Sequence, residues 1–321
     1  MKKLGITFSP SKPEILEQKL SKIKSIAKDY EVIFAKHDDT ILLECEIIFG
    51  HAKAQQLKNS SALKWIHTQS AGVDSYLNPE HPLPKHVVIT NSTGAYGISI
   101  AEHMLAMCLT LMRKTNIALK NQQNNLWDRS SFNNLNTIFG SEICIVGLGD
   151  IGSRFAGICN ALGANITAVV RNKRENMPLN IDKLFYTDSL ALALKGADVV
   201  ALCLPSTNQT QNLFNKDMLL KLKKGSILLN IGRGDSVDTT ALIDLLKCGH
   251  IGAAGLDVVN PEPLPQDSPL WDIPNVILTP HISASDQGLT QSLIIDKFLS
   301  YLHNYINNLP FERTIDRNTG Y

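Results

Sequence analysis

Three polar side chains late in the chain each directly follow an apolar, β-like run: Arg233 in NIGRGDSVD, Glu262 in GLDVVNPEPLP, which also carries Asp257, and His281 in TPHISAS. An imidazole titrates near neutral pH and can pass a proton to or from a reacting atom. A carboxylate can hold one ring nitrogen so that the other faces a substrate. A guanidinium grips a carboxylate or carbonyl through directed hydrogen bonds. Taken one at a time, each residue has an ordinary explanation: His281 as a core histidine with its hydrogen bonds met, Arg233 as a surface residue in a glycine turn, Glu262 as a solvated acid among prolines. Function is argued from a converging site rather than from one residue. Convergence is expected because, in a doubly wound sheet, the carboxyl ends of the strands face the ligand crevice.

A second constellation lies upstream. In CIVGLGDIGSRFAG, the glycines Gly147, Gly149 and Gly152 form a G-x-G-x-x-G pattern between an apolar strand and an apparent helix, the context in which that pattern carries meaning. Gly147 would allow the turn, Gly149 would let a pyrophosphate approach the backbone, and Gly152 would let the helix pack closely. The freed N–H groups and the helix dipole then favour an anion. A glycine-rich turn without a ligand is the competing reading. The next strand, NITAVVRNKR, ends on Arg171, where an NAD enzyme usually carries an acid for the ribose hydroxyls, and no acid follows until Glu175. A planar guanidinium can bind a 2′-phosphate through two charge-assisted hydrogen bonds, and Lys173 and Arg174 add positive charge. NADP is therefore expected as cofactor, with NAD possible; a solvated basic loop is the ordinary alternative.

The elements that must position these residues are legible in the pattern. Before residue 100, short β-like runs (KLGITF, EVIFAK, EIIFG, LKWIHTQ, HVVITN) alternate with helical stretches, the first of them Lys12 to Lys28; a second series begins at Glu142 with ICIVGLG, NITAVVR, DVVALCLP, SILLNIG, AAGLDVV and VILTP. Such alternation argues parallel sheets covered by helices, and the near-continuous Val, Ile, Leu and Ala of the second series suits strands buried on both faces. Between the two series, Ile98 to about Asn121 reads as one long helix, apolar on almost every side, which must be covered all round by a core, by a subunit interface or by both. A last amphipathic helix runs from about Asp286 to Asn307. The fold class is α/β, with two doubly wound parallel-sheet domains, and 321 residues suit two domains of about 150 each.

Composition narrows the partners. The chain is 44% apolar and 19% charged with a formal net charge of +1, so nothing recommends nucleic acid, and no segment reaches the roughly 20 apolar residues of a membrane span. The six cysteines lie far apart, without C-x-x-C, and read as reduced, buried thiols; the histidines show no metal-ligand spacing, so no metal is expected. The N-terminus MKKLGITFSP turns polar too soon for a secretory signal, and a cytoplasmic location is expected.

Together with GLGDIG, the three late motifs resemble the D-isomer-specific 2-hydroxyacid dehydrogenase family over nearly the whole chain. The spacing of Arg233 and Glu262 and the P-H-I context of His281 match; TQSAGVDSY at Thr68 to Tyr76 resembles the substrate loop, AEH at Ala101 to His103 the start of the long helix, and CLPSTNQT at Cys203 to Thr210 a further cofactor loop. The resemblance implies a flavodoxin-like substrate domain over residues 1–97, completed by a C-terminal helix in 284–321, and a Rossmann NAD(P)-binding domain over 98–283. It implies cofactor contacts at Gly147, Gly149, Asp150, Ile151, Gly152, Arg171, Leu204, Pro205, Thr210, Ile231, Gly232 and Asp257. It also implies substrate contacts at Ala71, Gly72, Val73 and Arg233, and a homodimer built on the helix from Ile98 and the arm reaching Trp127. Val259 and Asn260 stand where the family often has an aromatic residue and an acid. The regulatory C-terminal domain of many phosphoglycerate dehydrogenases has no counterpart.

The implied activity is hydride transfer between NADPH and a small 2-keto acid, or the reverse from a D-2-hydroxy acid. His281 would be the proton donor, Glu262 would stabilise its imidazolium, Arg233 would orient the substrate carboxylate or carbonyl, and the amides of residues 71–73 would form an anion-binding concavity. A cleft between the domains is expected to close over both ligands, its size depending on how Trp65, Tyr76, Tyr96 and the C-terminal helix lie. A nucleotide-sensing regulatory protein on the same fold is the alternative; it would need no proton donor.

Overall fold

In the computed structural model, which describes residues 1–173 and 176–317, each apolar run named above contributes a strand, and all the pairings are parallel. One unit comprises Met1–Tyr96 and Asp286–Tyr321, the other Gly97–Ser285.

The first unit starts with β1 (Lys2–Ile6), α1 (Pro13–Ile26), β2 (Tyr30–Phe34), β3 (Ile47–Phe49), α2 (Ala54–Leu57), β4 (Trp65–His67), α3 (Asp74–Leu77) and β5 (Val88–Thr90). The strand order is β2-β1-β3-β4-β5. Pro13 opens α1, where its missing N–H costs nothing, Glu14 and Lys24 suit the two ends of the dipole, and Leu16 and Ile23 are buried. Trp65 and Tyr76 are core residues, not pocket walls. Trp65 stacks on Phe298 and Tyr305, and Tyr76 accepts the Ala52 amide proton on its hydroxyl.

The second unit begins with α4 (Gly97–Arg113) and α5 (Thr115–Gln123). The single helix expected from Ile98 to Asn121 is therefore two. Lys114 adopts a left-handed conformation (φ +53°) that ends the α4 ladder, and neither Gly nor Pro marks the break. α4 buries Ile100, Met104, Met107, Cys108, Leu111 and Met112 and leaves Leu105 and Leu109 half-buried. Then follow β6 (Glu142–Val146), α6 (Asp150–Ala161), β7 (Asn165–Val170), β8 (Lys183–Tyr186), α7 (Leu190–Leu194), β9 (Val199–Leu202), α8 (Lys216–Leu219), β10 (Ser226–Asn230), α9 (Thr239–Lys247), β11 (Ile251–Leu256) and β12 (Val276–Leu278). The order is β12-β11-β10-β9-β6-β7-β8. β8 escapes the sequence pattern because it is a short edge strand, at best half-buried, without an apolar run of its own. Cys248, after α9, is exposed and Cys203 half-buried, so the expectation of six buried thiols fails for these two; all six are free.

The chain returns to the first unit as α10 (Leu289–Ile306), which packs along α1 and buries Ile294, Ile295, Phe298, Leu299 and Leu302. Among the described residues no helix is long and apolar enough to cross a membrane, and no group of three or more His, Cys, Asp or Glu could hold a metal.

Candidate active site

The register of the larger sheet lines up the motifs. Val169, Val146, Leu202, Asn230, Leu256 and Leu278 form one row across β7, β6, β9, β10, β11 and β12. Each chain leaves this row at its carboxyl end and turns directly into a motif: GLGDIG after β6, CLPSTNQT after β9, IGRGDSVD after β10, Asp257 after β11 and TPH after β12. Sequence order runs outward from β6 in both directions, so the β6/β9 boundary is the switch point where open α/β sheets bind ligands.

The glycine turn fits a pyrophosphate. Gly147 has φ +98°, and a Cβ there would lie 2.6 Å from the Cys203 carbonyl oxygen; at Gly152 a Cβ would lie 2.1 Å from the Gly147 oxygen. Gly149, which precedes α6, has open space where its Cβ would be, so a ligand can approach the backbone there. Asp150 accepts from Arg154 Nε (2.9 Å), and Ile151 is half-buried in the first turn. Gly232 meets the β9 loop closely, as a Cβ would come within 2.5 Å of the Leu204 oxygen, and Ser206 donates to Asp235 (2.6 Å), so the two loops are tied together. Ile231 is buried, Leu204 packs on the core, and Thr210 closes its own loop by donating to the Pro205 carbonyl (2.6 Å). Arg171 and Lys173 are exposed just past β7; Arg174 and Glu175 lie outside the described residues.

Arg233 is half-buried, with Nη1 donating to the Gly232 carbonyl (2.9 Å). Its loop is held by Asn230, the last residue of β10. The Asn230 side chain donates to the Arg233 carbonyl (3.0 Å) and accepts from Gly232 N (3.1 Å), while Ser236 Oγ donates to the same carbonyl (2.7 Å). Sequence reasoning missed Asn230, although a polar residue closing the fully buried run SILLN was a usable signal.

His281 and Glu262 lie side by side: Nδ1 is 3.0 Å from Oε1 and 3.2 Å from Oε2, with the side chains 51% and 41% exposed. With the carboxylate ionised, Nδ1 carries the proton and donates, and Nε2 has no partner among the described residues. The His281 backbone is left-handed (φ +53°), its amide donating to the carbonyls of Asp257 and Thr279 (both 2.9 Å). Asp257 supports this turn. Only 1% exposed, it accepts from Thr279 Oγ1 (2.6 Å), Ile282 N (2.9 Å) and Ser283 N (3.1 Å). Burial alone would raise its pKa, but these hydrogen bonds outweigh it and hold the carboxyl below its usual range. His103 Nε2 lies 3.0 Å from Thr279 Oγ1 and extends the cluster.

In the first unit, Ala71 is exposed, Gly72 half-buried and Val73 buried, in the loop between β4 and α3.

Residues 105–283, more than half of the chain, match the family model for the NAD binding domain of D-isomer specific 2-hydroxyacid dehydrogenases. The chain belongs to the D-isomer-specific 2-hydroxyacid dehydrogenase family. It is 30% identical, over 85% of its length, to a Haemophilus influenzae protein whose name places it among the 2-hydroxyacid dehydrogenases, covering 86% of that protein. It is 36% identical, over 72% of its length, to D-3-phosphoglycerate dehydrogenase of Mycobacterium leprae, but the match spans only 43% of that longer relative. A solved D-isomer specific 2-hydroxyacid dehydrogenase from Xanthobacter autotrophicus Py2, in complex with NADPH and MES, is 25% identical with a TM-score of 0.83, covering 100% of this chain and 99% of that one. As a D-isomer-specific 2-hydroxyacid dehydrogenase, the chain is an oxidoreductase whose NAD-binding domain carries GLGDIG, Arg233, Glu262 and His281.

Proposed function

We propose that this 2-hydroxyacid dehydrogenase is an NADPH-dependent reductase of small 2-keto acids, with His281 as its proton donor. The observation that carries the reading is the His281–Glu262 pair, held at the end of the strand row that also ends in GLGDIG and Arg233. Bound NADPH supplies the hydride that reaches the carbonyl carbon. His281 Nε2 gives its proton to the carbonyl oxygen, where negative charge would otherwise build up. Glu262 holds Nδ1, fixing the tautomer and stabilising the imidazolium before transfer. Arg233 directs hydrogen bonds to the substrate carboxylate or carbonyl, and the amides of Ala71, Gly72 and Val73 bind the carboxylate.

The phosphates are proposed to rest on Gly147, Gly149, Asp150, Ile151 and Gly152 at the start of α6, with Leu204, Pro205, Thr210, Ile231, Gly232 and Asp257 along the remaining strand ends. Arg171 would pair with a 2′-phosphate. The NADPH bound to the Xanthobacter relative supports that preference. A homodimer belongs to the same proposal, supported by exposed Leu119, Leu126, Trp127 and Phe139 in α5 and the arm that follows it. So does a cytoplasmic setting, supported by widely spaced free cysteines.

Oxidation of NADPH and of NADH is followed with a panel of 2-keto acids that includes glyoxylate and hydroxypyruvate. Turnover with a higher kcat/KM for NADPH is expected. Nucleotide binding without turnover of any of them would overturn the reading in favour of a sensor, and a preference for NADH would remove Arg171 from the 2′-phosphate.

A further inference from the structure

The loop after β4 carries an unusual pattern of hydrogen bonds: six successive carbonyls are all occupied. Thr68 O accepts from Ser92 Oγ (2.9 Å), Gln69 O from the Tyr96 hydroxyl, and Ser70 O from Ser92 N and Thr68 Oγ1 (both 3.1 Å). Ala71 O accepts from Asn91 Nδ2 (2.5 Å), Gly72 O from Ser70 Oγ (2.6 Å) and Val73 O from Tyr76 N (2.9 Å). By contrast, the amides of residues 69–73 donate to no acceptor among the described residues. The two facts are linked by peptide geometry. In a planar trans peptide the N–H of one residue points opposite to the C=O of the residue before it. Holding the carbonyls of Ser70 and Ala71 against the loop after β5 therefore turns the amides of Ala71 and Gly72 away from that loop, and tying the Gly72 carbonyl back to Ser70 Oγ fixes the direction of the Val73 amide.

We propose that Ser70 and Asn91, with Tyr96 and Ser92 behind them, are positioning residues that pre-set the three amides for the carboxylate of the 2-keto acid, which rests on the function proposed above. Their side chains act on carbonyls and touch no substrate. Asn91 fixes the peptide that presents the Gly72 amide, and Ser70 Oγ fixes the one that presents the Val73 amide. A peptide freed from its anchor can rotate and aim a carbonyl oxygen at the anion instead, which replaces attraction by repulsion. The pattern was invisible along the sequence because Asn91, Ser92 and Tyr96 lie in the next loop and are brought under residues 68–72 only by the β4–β5 pairing.

The test compares Asn91→Ala, Ser70→Ala, Ser70→Thr and Tyr96→Phe with the wild type in the full-length enzyme, using keto-acid KM, kcat, the Kd for NADPH, and inhibition by oxamate as a carboxylate probe. Asn91→Ala and Ser70→Ala should each raise KM and the oxamate inhibition constant about 5- to 10-fold, the scale of one lost hydrogen bond. NADPH affinity should not change, and Ser70→Thr, which keeps the hydroxyl, should restore binding. Unchanged KM and oxamate inhibition in folded Asn91→Ala and Ser70→Ala would overturn the proposal and leave the reductase reading intact. If Asn91→Ala fails to fold by circular dichroism, Tyr96→Phe, which loses one hydroxyl, decides by the same criteria. A wild-type enzyme that reduces no 2-keto acid would instead overturn the parent reading, and this one with it.

Discussion

At His281 the backbone is left-handed, a conformation that costs a non-glycine residue roughly 1 kcal/mol or more and persists only where its surroundings impose it. Here the imposition is visible in two carbonyls taking the His281 amide and one buried carboxylate, Asp257, gripping residues 279, 282 and 283. The proposed proton donor is thus aimed by its backbone before Glu262 orients its ring. His281→Gln is expected to lower kcat for keto-acid reduction about 100-fold; an undiminished kcat, with chemistry rate-limiting, would remove His281 from the role. Glu262→Gln removes the carboxylate that holds Nδ1–H and fixes the ring, so kcat for reduction should fall about 10-fold, the scale of one lost charge-assisted hydrogen bond, and an unchanged kcat would count against the pair.

A second histidine lies in the core of the first unit. His67 is fully buried, with Nδ1 2.7 Å from Thr90 Oγ1 and Nε2 3.1 Å from Ser92 Oγ. Trp65 Nε1 can only donate to Thr90, so the consistent direction runs from Trp65 to Thr90, to His67 Nδ1, and from Nε2–H through Ser92 to the Thr68 carbonyl. Burial, with a smaller push from Lys297, lowers its pKa from 6.5 to about 3. The unfolded chain therefore binds a proton below about pH 6.5 that the folded chain refuses until about pH 3. In that window stability should fall with falling pH by up to roughly 1.4 kcal/mol per unit from this residue. Denaturant titrations between pH 7 and 4 should show a shallower pH dependence for His67→Gln than for wild type; parallel curves would refute the assignment.

At the scale of elements, α10 shows how a segment distant in sequence completes a core. Phe298 stacks on Phe49 with ring centroids 4.0 Å apart and lies against Trp65, and Tyr305 donates to Glu46 (3.0 Å), a nearly buried acid that also accepts from Tyr30 (2.6 Å). Burial would raise the Glu46 pKa, but the hydrogen bonds from Tyr30, Lys2, Tyr305 and Lys64 prevail and lower it. Removing the Phe298 ring leaves a cavity under the helix, so Phe298→Ala should destabilise the first unit by about 3–5 kcal/mol. Calorimetry should show its transition moved down or lost while NADPH binding, assigned to the second unit, survives; an unmoved transition would mean the helix is not part of that core.

For the whole molecule, the chain crosses between its units twice, at Tyr96–Gly97 and at Ser285–Asp286. The remaining unpartnered apolar surface is concentrated in the second unit, where Trp127 is 95% exposed and Leu119, Leu126 and Phe139 are exposed with it. This is the surface that the proposed homodimer would cover. Trp127→Asp is expected to shift the light-scattering mass from dimer to monomer at micromolar concentration; a monomeric wild type would sink the homodimer.

By itself the sequence determined the two parallel sheets, because strands buried on both faces require nearly unbroken Val, Ile, Leu and Ala, as in Val199–Leu202 and Ser226–Asn230. It also singled out the candidate motifs, since glycines and charged residues directly behind such runs stand out from the apolar background. It missed β8, a half-buried edge strand, and the break at Lys114, whose left-handed backbone no residue type announces. Only the tertiary structure decided that Asp257 faces the turn around His281, that Asn230 clamps the Arg233 loop, and that Asn91 and Tyr96 hold the carbonyls of Ala71 and Gln69. Those of Asp257, Asn91 and Tyr96 join the loops of neighbouring strands, so their partners are set by register, while that of Asn230 closes its own loop and is set by side-chain direction; neither quantity is written in local composition.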